Sequence, residues 1–293
     1  MTQIISSFAE VSAQYDLAFV DLWGCVHNGR TIYPAAEAAL VAYRRAGGRV
    51  VLVTNAPRPA AAVSERLDQM GLSRDAYDAI ATSGDAAQHA MLRGIVGTRV
   101  WHLGPEKDNG FFTDLPDWAA SYPAIERVSF EEAEAIVCTG PFFEDTETPE
   151  DYRGRFLAAK ARGMKLLCAN PDLVVDYGDK RIYCAGALAQ LYDQMGGESL
   201  YFGKPHPPIY DLARLRATEA EIRFAEDRII AVGDGIHTDI QGGQAEGIDT
   251  LFITGGLAAE LFGDDVENPD PALLAPWLEE MGQAPTYTIG RLR

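Results

Sequence analysis

Short apolar runs alternate along this chain with stretches whose apolar residues recur at helical spacing, the pattern of a parallel sheet with helices packed on its faces. Leu17–Val20 forms the first run and ends in Asp21. Residues 50–53 form the second; they follow a helix-like stretch closed by Gly47 and Gly48 and end in Thr54 and Asn55. Ala60–Met70 then carries apolar groups at helical spacing and stops at Gly71, a residue suited to the left-handed turn that closes a helix. The same order returns near the other end, where residues 229–232 lead into Gly233 and Asp234, and residues 251–253 into Gly255 and Gly256. In open parallel sheets ligands bind outside the carboxyl ends of the strands, so these polar strand ends are expected to meet along one edge.

A second series lies between the two halves. Residues 100–103, 135–137 and 166–168 read as strands, and residues 152–161 and 185–195 as helices. At 293 residues the chain exceeds the usual size of one core. The expected division is therefore a unit made of residues 1–84 and 198–293, with a smaller α/β unit, 85–197, inserted into it.

Composition narrows the function classes. Apolar residues make up 47% of the chain and charged ones 23%, ordinary values for a globular protein. No apolar run is long enough to span a bilayer and residues 1–14 lack a secretory pattern, so a cytoplasmic protein without a membrane partner is expected. Cys25, Cys138, Cys168 and Cys184 are spaced too widely for a zinc knuckle or redox pair and read as reduced core thiols. With 25 basic against 43 acidic side chains the net charge is −18, which opposes nucleic acid and anionic membranes as partners. Any phosphate site must be built locally. The acidic clusters 144–151 and 264–270 lack calcium-loop spacing and read as solvated loops.

Four segments carry residue types that suit phosphorus chemistry. Asp21 opens Asp-Leu-Trp-Gly-Cys-Val directly after a buried-type strand, and Thr54-Asn55 offers a hydroxyl and an amide at a second strand end. Lys204 sits between glycine and proline in Gly-Lys-Pro-His-Pro. Gly233-Asp-Gly-Ile-His-Thr-Asp239 places Asp234 and Asp239 across a strand-to-helix turn, a spacing that suits one inner and one outer magnesium carboxylate. Each alone also reads as an ordinary turn, cap or surface residue.

Taken in order, the four resemble the motifs of the haloacid dehalogenase (HAD) superfamily, specifically its class IIA, NagD-like branch. The resemblance implies a Rossmann-like, doubly wound parallel sheet core and an inserted α/β cap, here between Thr54 and Lys204 because the gap from Asp21 to Thr54 is too short for a domain. It implies Asp21 as nucleophile, Thr54 as holder of the phosphoryl group and Lys204 as its cationic partner. Magnesium (Mg2+) would be held by Asp21, the backbone carbonyl of Trp23 and Asp234, with Asp239 beside them. Gly24, His27, Asn55, and Asn170 and Asp172 of a cap loop are the candidates for contact with a small phosphorylated substrate. The chemistry agrees, since a carboxylate attacks a phosphate dianion only when cations neutralise both.

One position departs from the pattern. The family's phosphatases carry a second aspartate two residues after the nucleophile, as proton donor and base; this chain has Trp23. Loss of such an acid slows a reaction about a hundredfold to ten-thousandfold, least for leaving groups that need no proton. His27 is a candidate replacement, and His206 and His237 are near the inferred edge of the site. Two other readings stay open: a pseudo-enzyme that binds a phosphometabolite without turnover, and a metal-independent dehalogenase-type hydrolase, which the acids Asp234 and Asp239 oppose. A dinucleotide dehydrogenase is set aside because residues 21–29 lack the glycine fingerprint. Oligomeric state stays open, a homodimer included.

Overall fold

The computed structural model describes residues 2–177 and 180–293. It resolves into two compact units, one formed by residues up to Thr54 with Ser64–Ala81 and Tyr210–Arg293, the other by Asn55–Val63 and Thr82–Ile209.

The first unit is built on a seven-stranded sheet in the order Gln3–Ile4, Tyr287–Ile289, Asp249–Ile253, Ile229–Gly233, Leu17–Val20, Arg49–Thr54, Ala79–Thr82. The pairings of the five central strands are parallel, with Val232 opposite Val20 and Val20 opposite Leu52. All residues of Leu17–Val20 and Ile229–Gly233 are buried, as continuous apolar runs in a sheet covered on both faces require. Helix Pro34–Arg45 starts on proline, carries Glu37 in its first turn and Arg44 and Arg45 in its last, and so complements its own dipole. Gly47 and Gly71 take the positive φ angles, 105° and 86°, that let the chain leave this helix and Ala60–Met70.

The second unit holds a five-stranded sheet in the order Glu198–Tyr201, Lys165–Cys168, Ala135–Cys138, Arg99–Leu103, Glu126–Arg127, all neighbours parallel, and an antiparallel hairpin of Val174–Tyr177 with Lys180–Tyr183. Tyr152, Phe156, Leu188 and Tyr192 pack its core against Cys138 and Cys168, strand neighbours in register. All four cysteines are buried thiols outside any disulfide.

The expected elements are present with shifted ends. The helix expected from residue 152 begins at Arg153, because Pro149 and a Thr148–Asp151 capping box set up a 3-10 turn, Pro149–Tyr152, before it. In the acidic cluster 144–151 Glu147 accepts from the Phe143 amide and Asp151 from the Thr148 amide, so these two acids hold the loop's backbone. The cut expected at residue 198 falls later: Glu198–Tyr201 pairs with Lys165–Cys168 and belongs to the smaller sheet. No helix among the described residues is long and apolar enough to cross a membrane.

Candidate active site

Three sequence-predicted residues of the first unit stand at the carboxyl ends of three neighbouring strands. Asp21 follows Leu17–Val20 and donates its amide to the Val232 carbonyl at 2.8 Å. Thr54 ends Arg49–Thr54, and Asp234 follows Ile229–Gly233. All three are buried. Asp21, Cys25 and Asp234 each offer a donor atom, and these atoms lie within 4.8 Å of one another. Two buried carboxylates so close repel unless a cation or a proton accompanies them.

The surrounding backbone is shaped to leave Asp234 room. A Cβ at Gly24 or at Gly256 would collide with the Asp234 carboxylate, and Gly24 also has φ at 80°. The carboxylate accepts from the Leu257 amide at 2.8 Å. Gly24, expected as a substrate contact, thus has a spacing role toward an acid, and Gly256 shares it. The donor chemistry fits magnesium, a hard cation that takes oxygen ligands. Asp21 and Asp234 supply such oxygens, whereas the Cys25 sulfur is too soft to be one of them.

Asp239 is not in that group. Its carboxylate accepts from the Gly235 amide at 3.0 Å and from Thr238 Oγ1 at 3.4 Å, closing the turn that carries Asp234. Side chains at Gly233 and Gly235 would strike Asp239 and Thr238. The segment Ile236–Ile240 winds as a single π-helical turn, a form that recurs at functional sites.

Trp23 and His27 face each other within one loop. The indole is half-buried and meets the His27 ring edge-on at 5.3 Å. Gly29, with φ at 84°, passes so close that a Cβ would run into the indole. The Gly29 amide donates to His27 Nδ1 at 3.0 Å, which fixes that nitrogen as an acceptor. Burial pushes the His27 pKa down to about 4, and the positive charge of Arg66 adds to the effect. The ring is therefore neutral at pH 7 and holds no imidazolium proton to give, which removes the support for His27 as replacement acid. His206 stacks on Tyr201, its pKa likewise lowered by burial; His237 is exposed.

The remaining candidates belong to the second unit and form one hydrogen-bonded chain. Asn55 Oδ1 accepts from the Lys204 amide at 2.7 Å, and its Nδ2 donates to the Lys204 carbonyl at 3.1 Å and to Asp172 Oδ1 at 2.8 Å. The Asp172 amide donates to Asn170 Oδ1 at 3.0 Å, and Cys168 Sγ donates to the Asn170 carbonyl at 3.2 Å. Both N–H groups of Asn55 are thus engaged inside the protein, which argues against its expected part as a substrate donor. Glycines again permit the approach: a Cβ at Gly186 would strike the carbonyls of Pro171 and Asp172, and one at Gly203 would crowd Asn55, Pro171 and Ser83. Ser83 escaped the sequence reading; its hydroxyl is buried and without a hydrogen-bond partner among the described residues.

Comparison with known proteins places the chain in a family. The signature of the haloacid dehalogenase-like hydrolases matches residues 18–115, and that of a HAD-hydrolase-like family residues 201–281. A crystal structure of a haloacid dehalogenase-like hydrolase from Brucella suis 1330 is 35% identical and superimposes with a TM-score of 0.84, covering 99% of this chain and 100% of that one. The chain belongs to the haloacid dehalogenase-like hydrolases, in their NagD-like class IIA branch. Among relatives, the D-glycerol 3-phosphate phosphatase of Mycobacterium tuberculosis is 26% identical over 249 residues, 84% of this chain but 65% of that protein's length. A glycerol phosphate phosphatase from M. tuberculosis, solved in complex with magnesium, shares the fold at a TM-score of 0.65 and 22% identity, over 97% of this chain and 77% of that one.

Proposed function

We propose that this hydrolase is a magnesium-dependent phosphoric monoester hydrolase that acts on a small phosphorylated metabolite through an aspartyl-phosphate intermediate. The buried pair of Asp21 and Asp234 at adjacent strand ends carries the reading. Asp21 attacks phosphorus, the bond to the leaving oxygen breaks, and water then hydrolyses the acyl phosphate, which returns the carboxylate. Asp21, Asp234 and the Trp23 carbonyl would hold magnesium, whose positive charge would offset repulsion between nucleophile and phosphate. Thr54 and Lys204 take the phosphoryl-holding and charge-neutralising roles of their motifs. Asp239 orients the turn that presents Asp234. Neither Trp23 nor neutral His27 supplies a proton, so the leaving group departs as an anion or is protonated by water. The buried thiols, outside any disulfide, suit a reducing compartment such as the cytoplasm.

The test is hydrolysis of p-nitrophenyl phosphate and of polyol phosphates with magnesium and with excess chelator. We expect Asp21→Asn to lose turnover with its fold intact and the chelator to abolish activity; full activity in either case refutes the reading. Trp23 favours one second reading, a sensor that binds phosphometabolites without turnover, and magnesium-dependent binding with no phosphate release from any ester would select it.

A further inference from the structure

The Asn55 carboxamide holds both backbone groups of Lys204 on one side and the carboxylate of Asp172 on the other. We infer that Asn55 and Asp172 are positioning residues that couple the 170–172 loop to the backbone of Lys204, so that the loop's conformation sets the lysine's alignment. The inference deepens the phosphatase reading and rests on it for the role of Lys204; the coupling itself rests on geometry alone.

Several observations build it. Asn55 is 3% exposed and Lys204 is 3% exposed, so water does not substitute for the bonds between them. The bond to Asp172 is charge-assisted, the stronger kind. Asp172 is braced in turn, since its amide is held by Asn170 Oδ1 and the Asn170 carbonyl by Cys168 Sγ. A side chain at Gly203 would push apart Asn55, Pro171 and Ser83, so the lysine's own loop and the 170–172 loop are packed with no slack. Movement of the 170–172 loop therefore removes one of the three bonds that fix the Asn55 carboxamide, and Lys204 loses a rigid anchor.

The test perturbs the half-exposed Asp172 and reads the buried Lys204. Hydrogen exchange of the Lys204 amide, the donor to Asn55, is measured in the full chain for the natural protein, Asp172→Ala and Asp172→Asn. We expect Asp172→Ala to speed this exchange on the order of tenfold, the scale of one lost charge-assisted bond. Asp172→Asn keeps an acceptor oxygen and is expected to restore most of the protection. In parallel, with p-nitrophenyl phosphate, Asp172→Ala lowers kcat more than it raises KM, and adding it to Asn55→Ala causes little further loss. Unchanged Lys204 exchange in Asp172→Ala, or a KM rise equal in the Ala and Asn variants, overturns the coupling and leaves Asp172 as a direct substrate contact. If the natural protein turns nothing over, the exchange arm still decides the coupling, and only the phosphatase reading fails.

Discussion

At the scale of single residues, the proposed chemistry turns on Trp23. An active site without a proton donor at that position makes the rate depend steeply on the leaving group's pKa. We expect aryl phosphates to be cleaved far faster than alkyl or polyol phosphates, and Trp23→Asp to flatten that dependence, measured over a series of esters of graded leaving-group pKa. Equal chemical rates on aryl and alkyl esters in the natural protein would show that another acid acts. Much of this was legible in the sequence, because Asp21, Trp23, Thr54 and Asp234 sit where apolar runs stop. Gly24, Asn55 and Gly256 were not legible in their roles. A glycine needed to spare a distant carboxylate, or an amide saturated by residues remote in sequence, is defined by tertiary approach and leaves no local pattern.

At the scale of elements, strands that are continuous runs of large apolar residues are legible in the sequence and several at the rims are not. Gln3–Ile4 and Tyr287–Ile289 are too brief to show a period, and Ala79–Thr82 and the hairpin after residue 173, though as long as Leu17–Val20, carry no sustained run of large apolar side chains. His102 illustrates what an element can store. It lies on Arg99–Leu103, its Nε2 within 2.9 Å of Thr139 Oγ1, and burial lowers its pKa to about 4. Between that value and the ordinary one of about 6.5 the unfolded chain binds the proton more readily than the folded one. The contribution is thus fully present above pH 6.5 and lost as the pH falls toward 4, on the order of 1–3 kcal/mol after allowance for solvent screening. Urea unfolding across this range should show the decline, and His102→Gln should make it shallower. An unchanged slope in the variant would place the acid sensitivity elsewhere.

At the scale of the whole molecule, the charge of −18 sets the terms on which the proposed phosphorylated substrate would arrive. A net-negative surface repels a dianion, and salt screens that repulsion over about 10 Å at 0.1 M. We expect kcat/KM to rise with added monovalent salt at fixed magnesium; a fall would reveal local attraction strong enough to reverse the global field. The sheet order has a different outcome. Gln3–Ile4 pairs with Tyr287–Ile289, and the Phe8 amide donates to the Arg293 carbonyl at 2.7 Å. During synthesis the first strand leaves the ribosome long before its partner exists, so the larger sheet closes only once residue 289 has been made, whereas the last strand of the smaller sheet is made by residue 201. A permuted gene that joins residue 293 to residue 2 through a short linker and opens new ends in the exposed stretch 264–268 should fold to the same sheet, as judged by its unfolding midpoint. In that order the outer strands are made in one continuous pass, and the wait between them disappears.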